Sequence, residues 1–409
     1  MDDKNDLIIH IITRLEPGGS AQNVIDSAVY QAGAYKVVLL AGPHKGEGQL
    51  TLALPENAQY LEIKNLVREI SPLNDLLAFL ELGKIVSRLK PAIVHTHTAK
   101  AGILGRWAAW LYNLKSGPER TIIVHTPHGH VFYGYFGPLK TFIFKLIEKL
   151  TARVTDHFIA LTEGERRESL QQGLGTAAKW LVIHSGVRFN DRSYEHAKRD
   201  LDISKDEMVI AVVARLEPVK GVEYFIRAAA QLQARNLDRK LRYLVVGDGS
   251  LGARLINLAD GLGLWGKIIF TGFQRDVFKY LTATDIYVQP SLNEAMGRTV
   301  LEAQYMKLPI VASKVCGLPD MVKEGVTGLL VPPGDPGALA AALESMIKDD
   351  RLRERMGEAA RLWVLEKDFT GHTRFSAESM NIQLEKFYNR ILNKSSGRRD
   401  RYTVPGRTH

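Results

Sequence analysis

Two glutamates stand eight positions apart in the second half of the chain, at Glu294 and Glu302. They follow an apolar run that is typical of a strand, and a helix is predicted to begin near Gly297. Glu294 would then lie in a loop, with Glu302 about a turn and a half inside the helix. A carboxylate in the loop can accept hydrogen bonds from sugar hydroxyls, and the second can accept them from a ribose. The spacing alone also fits two ordinary glutamates on a helix surface.

A second group of residues has the chemistry to bind a diphosphate. Arg215 and Lys220 follow a predicted strand, where an arginine fork and a lysine point charge can hold a pyrophosphate. In the first half, Gly18 and Gly19 separate a strand from a helix and permit close backbone approach to a phosphate. A tight turn and two surface cations are the alternatives. They are weakened because both halves carry a polar, glycine-containing loop at the corresponding place.

A glycine-rich turn follows the next predicted strand, at residues 247–252, and matches the G-x-G-x-x-G pattern of dinucleotide-binding loops. That pattern belongs after the first strand of its unit, and the strand that follows should end in an acidic residue, which is missing here. We therefore interpret Gly247 as part of a turn that lines a nucleotide site, and we expect no cofactor.

Strand-like runs alternate with amphipathic helices along the chain and predict the elements that position these residues. Several runs are continuously apolar, which is typical of parallel strands buried on both faces. The thirteen predicted strands span residues 7–13, 36–41, 60–63, 92–96, 121–125, 157–161, 180–184, 208–214, 242–246, 267–271, 286–289, 309–312 and 328–331. The pattern predicts a doubly wound α/β architecture.

The chain of 409 residues is too long for one hydrophobic core, and the charged segment 190–207 interrupts the alternation once. We expect an amino-terminal domain over residues 1–190 and a carboxyl-terminal domain over 191–375. A helix over 376–393 is expected to pack back on the first domain, followed by a basic, disordered tail over 394–409.

Composition narrows the class of protein. The 54 Lys and Arg outnumber the 45 Asp and Glu, and the net charge of +9 favours anionic partners. The single cysteine, Cys316, cannot form an internal disulfide. No apolar run approaches the ~20 residues that span a bilayer, and the first residues lack the basic start of a secretory signal. We expect a cytoplasmic protein. A nucleic-acid-binding protein is disfavoured because no recognised binding motif occurs.

Together these motifs resemble those of the family 4 glycosyltransferases, which have the GT-B fold, retain anomeric configuration and use nucleotide-sugar donors. The resemblance covers almost the whole chain and rests on motifs in the right order: residues 18–19, 213–221, 246–249, 294–302, 317–330 and 331–335. It implies two Rossmann-like domains, each a doubly wound parallel sheet, facing each other across a cleft. The D-x-D triplet at residues 200–202 lies in the charged segment, so we predict a reaction without metal.

The resemblance also implies roles for individual residues. Arg215 and Lys220 would bind the donor diphosphate, Glu294 the transferred sugar and Glu302 the ribose. His128 falls where the family has a histidine near the reacting centre, so Glu294 and His128 are the expected catalytic residues. The other implied donor contacts are Gly18, Gly19, Gly247, Gly297, Thr299, Val300 and Leu301.

In this family the amino-terminal domain holds the acceptor, which implies His97, Lys100 and His130 as acceptor-binding residues. The similarity to bacterial enzymes of surface-polysaccharide synthesis implies a lipid-linked glycan as acceptor. The helix predicted over 138–154 has an apolar face and several cations. It lies either on the inner face of an anionic membrane or in the core with its basic side in solvent, and we favour the core. The main alternative function is a nucleotide-sugar epimerase of the same fold.

Overall fold

The computed structural model describes residues 6–16, 18–43, 54–117, 119–130, 132, 137–189, 194–235 and 237–395. Over these ranges the chain forms two α/β lobes, each built on one parallel sheet. The amino-terminal sheet contains seven described strands: β1 (Leu7–Ile12), β2 (Lys36–Ala41), β3 (Ala58–Glu62), β4 (Ile93–His97), β5 (Ile122–Thr126), β6 (His157–Ala160) and β7 (Trp180–Val182).

The second lobe has a six-stranded sheet within the same described ranges. Its strands are β8 (Met208–Val213), β9 (Leu241–Val246), β10 (Ile268–Phe270), β11 (Ile286–Gln289), β12 (Ile310–Ser313) and β13 (Gly328–Val331). Every predicted strand is confirmed, and continuous apolar runs such as β8 are buried along their whole length. Such runs exclude water from both faces, because helices cover the sheet on each side.

Helices occupy most of the segments between these strands. In the amino-terminal lobe they are α1 (Gly19–Gln31), α2 (Pro72–Leu89), α3 (Ala99–Asn113), α4 (Pro138–Arg153) and α5 (Glu163–Gln171). In the second lobe they are α6 (Val222–Ala234), α7 (Gly252–Gly261), α8 (Phe278–Thr282), α9 (Arg298–Tyr305), α10 (Leu318–Met321), α11 (Pro336–Lys348) and α12 (Asp350–Leu365). The chain then continues into α13 (Ala377–Ser395).

Strand order explains where a ligand would bind. The order is β3-β2-β1-β4-β5-β6-β7 in the first sheet and β10-β9-β8-β11-β12-β13 in the second. In each sheet the direction of winding reverses at one point, between β1 and β4 and between β8 and β11. Ligands of doubly wound sheets bind beyond the carboxyl ends of the strands at such a point. The loops that follow β1, β4, β8 and β11 carry most of the predicted site residues.

The last helix, α13, packs on the amino-terminal lobe although it follows the second lobe in sequence. Met380, Leu384 and Tyr388 are buried in one cluster with Ile8 and Ala28 of that lobe. The chain therefore crosses between the lobes twice. The expected basic tail lies outside the described residues from 396 onward.

The interpretation of α4 as a core-packed helix is wrong. Leu139 and Phe142 on its apolar face are 72% and 66% exposed, whereas Glu148 is buried. Glu148 Oε2 accepts a hydrogen bond of 2.7 Å from the guanidinium of Arg106, a fully buried residue of α3. This buried ion pair fixes which side of the helix faces the sheet, so the leucines point outward. Among the described helices, none has the length and apolar character needed to cross a bilayer.

Candidate active site

The centre of the candidate site is an ion pair between two loops of the second lobe. Lys220 follows β8 and Glu294 follows β11, and their Nζ and Oε2 atoms lie 2.6 Å apart. The loops approach closely at Gly221, where φ is 64° and an added Cβ would lie 2.0 Å from the carbonyl oxygen of Pro290. Only glycine fits both the left-handed backbone and the short distance.

The two oxygens of Glu294 have different surroundings. Oε2 also receives the side-chain amide of Gln289 at 3.3 Å and the hydroxyl of Ser291 at 3.2 Å, in addition to Lys220. Within the described parts of the chain, no hydrogen-bond donor to Oε1 is found. The half-buried carboxylate is thus held in place through one oxygen, and the other is available to a ligand hydroxyl.

Helix α9 begins where the sequence predicted, directly after Gly297, whose φ is 74°. Glu302 lies inside the helix, and burial raises the pKa of its carboxyl to about 7, while the guanidinium of Arg298 opposes this shift. The Thr299 hydroxyl lies 2.7 Å from the hydroxyl of Tyr287, which ties the first turn to β11. The helix start therefore combines backbone N–H groups, a cation and a titratable carboxylate.

Two of the predicted donor contacts have no side chain on the cleft. Val300 and Leu301 are fully buried in the core of the second lobe, so only their backbone could meet a ligand. Gly247 also acts through the backbone, because a Cβ there would lie 2.0 Å from the carbonyl oxygen of Ala214. The turn at Gly247 thus supports the loop that carries Arg215. Arg215 itself is exposed, and its side chain makes no hydrogen bond or ion pair to the described residues.

On the opposite side, His128 stands in the loop after β5 with an unusual backbone conformation, at φ 58°. The next residue, Gly129, donates its N–H to Glu165 Oε1 at 2.7 Å, and Leu161 donates its N–H to Glu165 Oε2 at 2.7 Å. Burial raises the pKa of Glu165 to about 7, and the two backbone donors oppose this shift. Glu165 therefore holds the His128 loop in its strained form.

The ring of His128 also contacts a second histidine of the amino-terminal lobe. Its Nε2 lies 3.0 Å from Nδ1 of His97, the last residue of β4. Burial lowers the pKa of His128 to about 3, and the positive charge of Arg298 adds to this effect. His128 is therefore a neutral imidazole at pH 7.

The three residues expected to bind the acceptor are engaged with the protein in this structure. His97 is buried behind His128. Lys100 pairs with Asp75 at 2.6 Å, and the buried His130 ring lies 2.8 Å from the hydroxyl of Ser169. All three stabilise the cleft wall here, and direct contact with an acceptor stays a prediction. The loop residues next to His130, at 131 and 133–136, lie outside the described residues.

The two lobes meet through the loops that carry these residues. Arg298 reaches across and donates from Nη1 to the carbonyl oxygen of Gly19 at 3.2 Å. At the start of α5, Thr162 Oγ1 donates to the carbonyl oxygen of Ala295 at 2.8 Å, and Gly164 N–H donates to Asp320 at 2.6 Å. The site is thus assembled from both sheets, with Gly18 and Gly19 opposite the start of α9.

The sequence alone did not predict two residues of the site, Arg298 and Glu165. Arg298 lies within a motif that was singled out, but only the folded chain brings it between Gly19 and Glu302. Glu165 had a readable signal, since Thr162 and Glu165 have the spacing of a helix capping box, and Glu165 N–H does donate to Thr162 Oγ1 at 3.1 Å.

Two doubly wound lobes, joined at a site of cations and carboxylates between their strand ends, define the GT-B class of sugar transferases. Residues 17–190 match the family model Glycosyltransferase Family 4, and residues 193–363 match Glycosyl transferases group 1. The chain belongs to the family 4 glycosyltransferases, which confirms the resemblance and the predicted fold.

Relatives with known activities extend over most of the chain. The UDP-Gal:alpha-D-GlcNAc-diphosphoundecaprenol alpha-1,3-galactosyltransferase of Escherichia coli is 30% identical over 323 residues, which cover 78% of this chain and 82% of the relative. The capsular polysaccharide biosynthesis glycosyltransferase CapM of Staphylococcus aureus is 27% identical over 340 residues, or 81% and 85% of the two chains. The fold also matches HepE of Anabaena in complex with UDP-glucose, with a TM-score of 0.73, 21% identity and coverage of 94% and 100%.

Proposed function

We propose that this glycosyltransferase moves a hexosyl or N-acetylhexosaminyl group from a UDP-sugar to a lipid-linked glycan, with retention of configuration. The observation that carries the proposal is the Lys220–Glu294 pair, which puts a diphosphate-binding cation 2.6 Å from a sugar-binding carboxylate. In a nucleotide sugar a single bond joins the diphosphate to the sugar, and this is the bond that breaks during transfer. The E. coli relative, which is named for UDP-Gal as its donor, supports uridine.

The leaving group in this reaction is a nucleoside diphosphate, and its growing charge must be stabilised. Arg215, Lys220 and the N–H groups at the start of α9 supply that stabilisation without a metal ion. The transition state is oxocarbenium-like, and the acceptor hydroxyl attacks the face that the diphosphate leaves. The leaving phosphate oxygen takes the hydroxyl proton. Glu294 and His128 then position the sugar from opposite sides, and Glu302 binds the ribose.

The acceptor is proposed to approach from the amino-terminal lobe while that lobe contacts the inner face of a membrane. The support is α4, whose exposed apolar face includes Leu139, Phe142 and Leu146. Four cations flank this face: Lys140, Lys145, Lys149 and Arg153. Helices with an exposed apolar stripe between basic residues bind anionic lipid surfaces. The E. coli relative is named for a diphosphoundecaprenol-linked sugar as its acceptor, which supports the same class of acceptor.

An epimerase of the same fold would also bind a UDP-sugar in such a cleft, but no relative described above supports that alternative. The relatives described above are sugar transferases, which favours transfer. The two functions differ in whether an acceptor is consumed.

The test begins with purified protein, a panel of UDP- and GDP-sugars, and a diphosphoprenyl-linked sugar as acceptor. We expect one donor to be consumed only when acceptor is present, in the presence of EDTA, with an axial (α) linkage visible by NMR for an α-linked donor. Interconversion of the donor without acceptor would instead indicate an epimerase, and dependence on added Mg²⁺ or Mn²⁺ would contradict the metal-free reaction.

The role of Glu294 is tested with Glu294→Gln, which keeps the size of the side chain. We expect turnover to fall on the order of 100-fold or more, because a positioned charge is lost at the reacting centre. The matched control is Glu207→Gln, since Glu207 is a half-buried carboxylate paired with Arg242 outside the cleft. Near-normal turnover of Glu294→Gln would remove Glu294 from the mechanism.

A further inference from the structure

Four side chains form a continuous hydrogen-bonded row beneath the cleft. Gln31 at the end of α1 lies with Oε1 2.7 Å from Nε2 of His10, in the middle of β1. His10 Nδ1 is 3.0 Å from His97 Nε2, and His97 Nδ1 is 3.0 Å from His128 Nε2. We call Gln31, His10, His97 and His128 the histidine row. The row begins at Gln31 and His10, which are buried in the amino-terminal lobe, and ends at His128, which faces the second lobe.

Each ring in the row is neutral, because burial lowers the pKa of His10 to about 4 and that of His128 to about 3, and lowers that of His97 well below its usual value. A neutral imidazole carries one N–H and one lone pair. A ring that donates through one nitrogen must therefore accept through the other, and this direction passes unchanged from ring to ring.

We propose that Gln31, His10 and His97 are positioning residues that hold His128 as its Nε2–H tautomer, so that Nδ1 presents a lone pair to the cleft. Gln31 Oε1 is an acceptor and selects the Nε2–H form of His10. His10 Nδ1 then accepts from His97, and His97 Nδ1 accepts from His128. The result is an acceptor suited to a sugar hydroxyl. This inference rests on the proposed place of His128 beside the transferred sugar.

The same region also has the spacing of a metal centre, since His10, His95 and His97 bring nitrogens within 4.8 Å of one another. Hydrogen bonds already engage all six of these nitrogens. Besides the contacts of the row, His95 lies 2.6 Å from the hydroxyl of Tyr388 and 2.8 Å from that of Thr126. A metal ion would have to replace several of these bonds, so the geometry favours the row.

The direct test measures the tautomer of His128 by ¹⁵N NMR in full-length protein labelled at histidine, with His128→Asn to assign the signals. We expect the wild type to carry the proton on Nε2 alone. Gln31→Met, which removes the acceptor at similar volume, should give a mixture of tautomers. Gln31→Glu retains an acceptor oxygen and should restore the Nε2–H form.

Kinetics provide the second readout. Gln31→Met should lower kcat about 10-fold while the donor dissociation constant changes less than 2-fold, and Gln31→Glu should recover most of the loss. Thr96→Val is the matched control, because Thr96 is a buried hydroxyl on β4 beside His97 that bonds His125 instead of the row. Its kcat and its His128 tautomer should match those of the wild type.

Several results would overturn the row as a positioning device. These are a His128 that carries its proton on Nδ1, a Gln31→Met protein with unchanged kcat and tautomer, or one equivalent of tightly bound Zn²⁺ that His10→Gln removes. If the wild type transfers no sugar from any donor, the proposed function fails, yet the NMR measurement still decides the tautomer.

Discussion

Lys220 and Glu294 compensate each other's charge in the absence of a donor. Both side chains are half-buried, and the contact of 2.6 Å uses one of the three N–H groups of the Lys220 ammonium, the group that is predicted to bind a diphosphate. The other two N–H groups allow the predicted diphosphate contact to form while Lys220 stays paired with Glu294. Glu294 stays in place because Gln289 and Ser291 also bind its Oε2. The pair thus keeps both groups close to the positions that the predicted contacts with a donor require.

Removing this cation should weaken donor binding. We expect Lys220→Met to raise the dissociation constant of the UDP-sugar about 10- to 100-fold, since hydrogen bonds to charged groups contribute about 1.5–3 kcal/mol. Calorimetry with the donor measures the change. Lys198→Met is the control, because Lys198 pairs with Asp285 at 2.9 Å outside the cleft. Equal affinities of Lys220→Met and wild type would contradict the diphosphate contact.

The pKa of Glu302, raised to about 7 by burial, predicts a pH dependence of donor binding. A ribose hydroxyl donates to the carboxylate form, which is lost as pH falls through 7. Donor affinity should therefore be full at pH 8 and about 10-fold lower at pH 6. A UDP-sugar is the suitable ligand, because free UDP titrates in this range. Glu302→Gln should flatten the profile, and a wild-type profile without slope between pH 6 and 8 would argue against the ribose contact.

At the level of single residues, the sequence predicted the components better than their contacts. Glu294, Glu302, Arg215 and Lys220 were singled out by their places after predicted strands and by the family resemblance, and their roles toward the donor stay predictions. The sequence did not predict the histidine row, because residues that are neighbours in the row lie 21 to 87 positions apart along the chain. Only the parallel register of β1 with β4 puts His10 near His97.

Among the secondary-structure elements, strands were predicted fully and α4 was oriented wrongly. Strands follow from apolar runs that local sequence displays. The spacing of apolar residues also identified the apolar face of α4, but such spacing does not show whether that face is buried. That depends on the ion pair between Arg106 and Glu148, two residues 42 positions apart on different helices.

Helix α5 makes a close contact with the second lobe and therefore offers a sensitive test of how the lobes pack. A Cβ added at Gly164 would lie 2.0 Å from the carbonyl oxygen of Cys316 in the second lobe. Gly164→Ala should push the lobes apart, at about 1–3 kcal/mol in unfolding free energy. We expect turnover to fall about 10-fold or more while donor binding is largely kept, because most of the predicted donor contacts lie in the second lobe.

Gly83→Ala is the control for this change, since nothing lies within 4 Å of a Cβ at that position in α2. It should stabilise the protein by about 0.5–1 kcal/mol without altering turnover. Thermal unfolding and the transfer assay measure both effects. A Gly164→Ala protein that is as active and as stable as the wild type would show that the lobes can separate there freely.

For the whole molecule, charge and exposed apolar area together predict association with anionic lipid. The net charge is +9, and the apolar face of α4 is open to solvent. We expect the protein to sediment with vesicles that contain phosphatidylglycerol, and less so at high salt because screening weakens attraction to the surface. Neutral vesicles should bind it weakly.

The double variant Phe142→Ser with Leu146→Ser tests whether α4 is the contact. It should reduce partitioning more than 100-fold, from the loss of about 3 kcal/mol of apolar burial. Leu362→Ser with Phe369→Ser is the matched control, since these side chains are 70% and 74% exposed and lie outside α4. If both double variants lose binding equally, α4 is not the membrane contact.

The return of α13 to the first lobe has a consequence for biosynthesis and engineering. Residues 380–391 complete the interior beside β1, so the first half of the chain cannot finish folding while the ribosome still holds the last part. A chimera that exchanges donor specificity between relatives therefore needs two splice points, one on each crossing, so that the final helix stays with its partner.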